Sequence, residues 1–202
     1  MLPEPSKVTE DIDDRFHTIQ EVVEENNYTF SEHQVTTEDG YILTMHRISK
    51  GKVDAGNKAH PIFIMHGIED SSFMWVQNSP ALAPAFVFAD AGFDVWLGNN
   101  RGNLYSQNHT TLSPDEKEFW DFDFEDMGLY DVPASADYIM EHTKDSNPID
   151  KIAAYIGFSE GTTQFFIGSS MKPEYYKEKF NLYVAWAPIA RIGNDSFMGT
   201  VS

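Results

Sequence analysis

Gly157-Phe158-Ser159-Glu160-Gly161 decides how this chain folds. The residues before it, Lys151 to Ile156, carry an apolar run from Ile152 onward and read as a strand buried on both faces. Those after it, Thr162 to Ser170, are small and apolar and read as the start of a helix. A serine between two glycines at a sharp strand-to-helix turn is held in a strained backbone conformation, with its hydroxyl projecting beyond the carboxyl end of the strand. The glycines let strand and helix approach, and the helix N-terminus behind the serine favours negative charge. The pentapeptide alone is a weak signal. The strand before it and the helix after it give it weight as a nucleophile elbow.

A second signal lies upstream. Pro61-Ile62-Phe63-Ile64-Met65 is a continuous apolar run, as expected of a strand inside a parallel sheet, and it ends in His66-Gly67-Ile68. A strand running into His-Gly builds half of an oxyanion hole in α/β-hydrolases. There the N–H of Ile68 is one donor, and the N–H of Glu160, the residue after the serine, is the other. Losing one such donor costs ~100- to 1000-fold in rate. His66 precedes the nucleophile and reads as a residue that fixes its loop by hydrogen bonds, not as a base.

The rest of the chain supplies the elements of an α/β fold. Phe16, Ile19, Val22 and Val23 fall at helical spacing, which predicts an amphipathic helix over about 12–26. His33 to Thr36 and Tyr41 to Ile48 are strand-like and joined through Asp39-Gly40, a hairpin signal. A helix over 81–91, with Pro84 in its first turn and Gly92 at its end, leads into a buried strand at 93–97. The loop that follows, Gly98 to Asn103, sits at the ligand-binding edge of such a sheet, and Arg101 reads as tying it to neighbouring carboxylates. Phe119 to Phe124 reads as aromatic anchors under a surface loop, since no clustered histidines accompany its acids. A helix from about Tyr130 to Thr143 precedes the elbow strand, and Leu182 to Trp186 is a last strand. The sheet is expected to be mainly parallel after the hairpin, with helices on both faces. The domain reading is one incomplete domain over 1–202, in which 12–50 forms the N-terminal helix and hairpin.

Composition narrows the function classes. A chain of 202 residues, 41% hydrophobic and 14% aromatic, is globular. Its formal net charge of −18 argues against nucleic acid as a partner. It has no cysteine, hence no disulfide framework and no thiolate metal site. Met1-Leu2-Pro3-Glu4-Pro5 has neither a basic region nor an apolar core, so no signal peptide is expected there, and no apolar run approaches the ~20 residues of a membrane span. Glycosylation triplets begin at Asn27, Asn108 and Asn194.

Longer motifs carry a family resemblance. Val35-Thr36-Thr37-Glu38-Asp39-Gly40-Tyr41-Ile42-Leu43, His66-Gly67, and Ala89-Asp90-Ala91-Gly92-Phe93-Asp94-Val95-Trp96-Leu97-Gly98-Asn99 with Arg101-Gly102-Asn103 stand in order. Ser113-Pro114, Phe119-Trp120, Tyr130-Asp131-Val132-Pro133-Ala134 and Gly157-x-Ser159-x-Gly161 follow. From about Phe16 to Ile192 the chain resembles the acid lipases, the gastric and lysosomal lipases among the α/β-hydrolases. The resemblance implies Ser159 as nucleophile, Ile68 and Glu160 as oxyanion-hole donors, and hydrolysis of acylglycerols or sterol esters at a lipid–water interface. It implies no metal or organic cofactor, and a secreted or lysosomal location.

Two departures from the family stand out. Its elbow usually has His before the serine and Gln after it, where this chain has Phe158 and Glu160. The triad order is Ser, then acid, then His, yet all seven histidines here precede Ser159. The reading that follows is the N-terminal part of an acid lipase, inactive or weak alone, with its acid and base beyond Ser202 or on a complementing chain along the 182–186 strand. The alternatives are a catalytically silent binding or assembly subunit, and an esterase that recruits an upstream histidine such as His109.

Overall fold

The computed structural model describes residues 17–49, 59–147 and 149–191. Helix α1 (Ile19–Glu25) opens on a capping box in which Thr18 and Glu21 exchange bonds, and it buries Ile19, Val22 and Val23. It spans a shorter range than the expected 12–26: Thr18 is extended at its start, and 12–16 lie outside the described residues. Strands β1 (Phe30–Thr36) and β2 (Tyr41–Ile48) form the expected antiparallel hairpin. Then follow β3 (Pro61–Met65), α2 (Pro84–Asp90), β4 (Asp94–Leu97), the two-residue β5 (Asn108–His109) and the short α3 (Phe124–Asp126). A π-helical segment, Met127–Asp131, runs into α4 (Val132–Thr143). The chain continues through β6 (Ala154–Phe158), α5 (Glu160–Met171), α6 (Pro173–Lys179) and β7 (Tyr183–Trp186).

The sheet order is β1-β2-β4-β3-β6-β7, with β5 beside β2. β2 meets β4 antiparallel, and from β4 onward every pairing is parallel. The expected sheet is therefore present, with the elbow strand displaced by two residues. Ile152 is buried, but it makes only an isolated bridge to Phe180, and the ladder begins at Ala154.

Alternation along the strands divides the core between the two faces. Ile62, Ile64, Val95, Leu97 and Ile156 pack with α1 and α2 residues Val22, Val23, Phe86 and Ala89. Phe63, Met65, Trp96 and Tyr155 turn the other way, against Val132, Ala136 and Ile139 of α4, Phe165 of α5 and Tyr176 of α6. Helices thus cover both faces. Among the described residues β7 pairs only with β6, and Leu182 beside it is 54% exposed.

One contact fixes how α5 lies on that second face. The Tyr176 hydroxyl donates to Gly128 O at 2.6 Å, passing over Gly168, where a Cβ would fall 1.9 Å from the phenolic oxygen. Gly168→Ala therefore forces α5 from the π segment and α6. The expected loss is ~2–3 kcal/mol, as for an overpacked core. It is read as a melting temperature lower by roughly 5–10 °C for a domain of this size, and an unchanged melting temperature would refute the contact.

Candidate active site

Ser159 sits between β6 and α5 with φ 50° and ψ −112°, a left-handed backbone that non-glycine residues rarely adopt. Its surroundings hold it there. The Ser159 N–H donates to Trp186 O on β7 at 2.9 Å, and the Thr162 hydroxyl donates to Ser159 O. Tyr155 on β6 reaches round to donate to Gly161 O at 2.8 Å. Gly161 itself cannot carry a side chain, since a Cβ would lie 2.8 Å from the carbonyl oxygens of both Met65 and His66. α5 thus abuts the end of β3, and the loop after β3 is brought to the serine: a Cβ on Gly67 would lie 3.3 Å from Ser159 Cβ.

That loop is fixed by His66. Its Nδ1–H donates to Gly67 O at 2.6 Å, which leaves Nε2 to accept from the Asn100 N–H at 3.2 Å and from Asn103 Nδ2 at 3.1 Å. These partners are compatible only with the neutral ring, and burial pushes the His66 pKa down. His66 is a clamp, as its place before the nucleophile suggested. Ile68, the next residue but one, is 41% exposed, and its N–H takes no partner among the described residues; nor does that of Glu160.

The neighbouring loop is built on charge. Arg101 is buried and makes four hydrogen bonds through its guanidinium: to Asp131 Oδ1 at 2.9 and 2.7 Å, and to Asp39 at 2.6 and 3.0 Å. Its backbone N–H donates to Asp131 Oδ2, and its guanidinium carbon stands 4.0 Å from the Tyr41 ring centroid. The hairpin turn, the loop after β4 and the π segment are joined at one point, as expected of Arg101. Removing the guanidinium would leave Asp131 charged and unpaired in the interior, at a cost of about 3–5 kcal/mol.

Between these loops lies a cavity of about 620 Å³. Ile68, Asn100, Leu104, Trp120, Met127 and Glu160 are among the residues that line it. Phe119 is buried against Tyr41 and Leu43 with Phe122 packed beside them, while Trp120 is exposed, so the 119–124 stretch anchors its loop through aromatic rings, as expected. Both side-chain polar atoms of Asn100 are buried without a partner, which no sequence pattern indicated. Glu160 is only 7% exposed, and burial pushes its carboxyl up to about 7. Among the described residues no group of three or more His, Asp or Glu is placed to hold a metal.

Ser159 Oγ has no hydrogen-bond partner among the described residues, and no described histidine is paired with it. His109 accepts at Nδ1 from the Thr111 and Leu112 N–H groups, and its Nε2 donates to Asp39 O, so it has no free nitrogen to act as a base. His33 and His142 pack with Tyr138. His46 is buried, with Nδ1 2.7 Å from Ser72 Oγ.

A parallel sheet entered through a hairpin, with a strained serine at a strand-to-helix turn, defines an α/β-hydrolase, and this chain belongs to the alpha/beta hydrolase fold family, whose model matches residues 60–177. A partial alpha/beta-hydrolase lipase region matches residues 19–79, and within the fold family the acid lipases are its kin. The chain is 40% identical over 187 residues to human "Lipase member M", covering 92% of this chain and 43% of that protein. It is 42% identical over 167 residues to human "Gastric triacylglycerol lipase", covering 82% of this chain and 40% of that one. It spans about two fifths of the length of these relatives. The Pyrococcus furiosus esterase Pf2001 superposes with a TM-score of 0.56 over 82% of this chain and 52% of that one; at 18% identity the likeness is one of fold.

His46 makes the fold's acid response testable. Burial holds its pKa at about 4 against the ordinary 6.5, despite the carboxylate of Glu32 at 3.4 Å. The unfolded chain takes up a proton below pH 6.5, but the folded chain does so only near 4. Stability is therefore undiminished above 6.5, falls as pH drops towards 4, and levels off below, with a total of up to ~3 kcal/mol. Glu160 and Asp131, whose carboxyls burial raises, act in the opposite direction over the same range, so the slope is read in the difference between the two proteins: the urea midpoint of the wild type should fall relative to that of His46→Asn as pH drops from 8 to 4, and a constant difference would refute it.

Proposed function

We propose that the chain carries the nucleophile and the oxyanion hole of a serine carboxylic-ester hydrolase acting on lipid esters, acylglycerols or sterol esters, at a lipid–water interface. The observation that carries this reading is Ser159 itself, held at φ 50° against the loop of Gly67. Such strain persists only where the surrounding structure holds it, and it clusters at functional sites. Ser159 Oγ attacks the ester carbonyl carbon and its proton passes to a base. The carbonyl π pair moves onto oxygen, where the N–H groups of Ile68 and Glu160 accept the charge. Collapse expels the alcohol and leaves an acyl-enzyme, which water hydrolyses. The apolar rim of Ile68, Leu104 and Trp120, all exposed, suits an acyl chain. The relatives' names point the same way, since those proteins are lipases.

The base is the missing part. No described histidine bonds Ser159 Oγ, so the base comes from residues outside those described, with the edge of β7 as the place where a further segment or chain adds. The observation that no described residue activates Ser159 equally favours a silent binding or assembly subunit. Fluorophosphonate labelling separates the two, because it needs an activated serine. The chain alone should label negligibly: in a serine protease, loss of the base costs on the order of 10⁶ in turnover. Co-expression with the part of gastric triacylglycerol lipase outside the matched region should restore labelling, and Ser159→Ala should abolish it. No labelling in either preparation would favour the silent subunit, and strong labelling of the chain alone would place a base among its own histidines.

A further inference from the structure

The turn from α1 into β1 presents two polar side chains that the fold does not use. α1 closes in a Schellman motif: the Tyr28 N–H donates to Val23 O at 3.2 Å and the Asn27 N–H to Glu24 O at 2.9 Å. That motif needs a left-handed residue, and Asn27 supplies it at φ 64°, a conformation in which asparagine is enriched. The main chain of Asn27 is thus fixed, yet its side-chain amide is exposed and has no hydrogen-bond partner among the described residues. Asn26 differs, since its Nδ2 donates to Val22 O at 2.8 Å. Tyr28 turns inward, with its ring stacked 4.4 Å from that of Phe86 and its hydroxyl on Asp90. Thr29 is exposed again, and its hydroxyl has no partner among the described residues either.

We propose that Asn27 carries an N-linked glycan. Asn27-Tyr28-Thr29 is an acceptor triplet, and the fold leaves both of its reactive side chains free on the surface. The co-reactant is an oligosaccharide linked to a lipid diphosphate. Asn27 Nδ2 forms a bond to the anomeric carbon of the first sugar, and the bond from that carbon to the diphosphate oxygen breaks. The lipid diphosphate leaves with the bonding pair, and the amide gives up one proton to a base of the transferase. The transferase works in the secretory compartment, so the proposal concerns a chain that enters it. It does not depend on the catalytic reading of Ser159.

Topology distinguishes this triplet from the one at Asn108; the one at Asn194 lies outside the described residues. β1 is antiparallel to β2 and β2 to β4, so β1 starts at the end of the sheet where β4 starts. The bond from Tyr28 to Asp90, the last residue of α2 before β4, agrees with this placement. β6 runs parallel to β3 and β3 to β4, and Ser159 follows β6, so Ser159 stands at the opposite end. A sugar on Asn27 is therefore across the length of the sheet from the candidate site. Asn108 pairs with Ile42 near the start of β2, at the same end as Ser159. Its neighbour His109 is bonded to Asp39 O, and the Asp39 carboxylate holds Arg101. A bulky, hydrated sugar is accommodated at Asn27 without approaching the loops around the cavity.

The test uses the full chain, produced behind a secretory leader in cultured eukaryotic cells, with the same chain made in the cytosol as the blank. Peptide-N-glycosidase releases the sugar and leaves an aspartate where it was attached. Digestion should increase gel mobility, and peptide mass spectra should place that aspartate at position 27. Thr29→Ala destroys the triplet but leaves Asn27 and its left-handed backbone untouched, so it should lose one oligosaccharide. Thr29→Ser retains a hydroxyl and should keep it, and Thr110→Ala, which destroys only the triplet at Asn108, should keep the sugar on Asn27. Because Thr29 is exposed, the digested wild type and Thr29→Ala should unfold at the same temperature, which separates loss of the sugar from loss of the fold. A secretory chain with no mobility change, a full-sized change that survives in Thr29→Ala, or sugar found only at other asparagines overturns the proposal.

Discussion

Behind Ser159 two backbones meet at a distance that leaves no room for a side chain. Gly161 N-terminal in α5 lies so close to the carbonyls of Met65 and His66 that a methyl group there would stand 2.8 Å from each. The approach forces Ser159 to φ 50° and carries the Gly67 loop to its side. The strain costs of order 1–3 kcal/mol and persists because the surroundings over-determine it. Those surroundings are the parallel pairing of β6 with β3 and β7, and the bonds from Ser159 N–H to Trp186 O and from Tyr155 to Gly161 O.

The loops at this end of the sheet depend on two buried polar groups of opposite character. Arg101 binds three segments through charge, and its four guanidinium bonds to two carboxylates meet the condition under which a buried ion pair does not cost stability. His66 does similar work without charge, as a donor at one nitrogen and an acceptor at the other. A protonated imidazole would lose both bonds at Nε2, so burial and function require the same neutral form.

Much of this was legible in the sequence because it depends on local chemistry. The apolar runs at 61–65 and 93–97, the Asp39-Gly40 hairpin and the glycines around Ser159 each state their own geometry. What was hidden depends on packing at a distance. The apolar run from Ile152 predicts a strand there, yet the ladder waits for Ala154, because only the sheet decides which residues pair. α6, with Pro173 at its start, sets two adjacent tyrosines among charged residues and shows its buried face only through Tyr176. The π turn at Met127–Asp131 has no periodicity of its own and follows from Gly128 pressed against α5. The site divided along the same line. Ser159, His66 and Arg101 announced themselves, whereas the bare amide of Asn100 and the unmet oxygen of Gln164 are properties of an enclosure.

Four tyrosines on the second face of the sheet share one habit: each hydroxyl ends on a main-chain carbonyl. Tyr155 reaches Gly161 O, Tyr183 reaches Thr162 O, Tyr176 reaches Gly128 O and Tyr175 reaches Pro133 O. The rings act as spacers between α5 and its neighbours, but a spacer lets a cylinder roll. The hydroxyls index it. Tyr155 and Tyr183 grip consecutive carbonyls in the first turn of α5, and so set the rotational phase of the helix that begins one residue after Ser159. The aim of the site is in this sense stored in phenolic oxygens that never touch a substrate, and phenylalanine in their place would keep the volume and lose the aim.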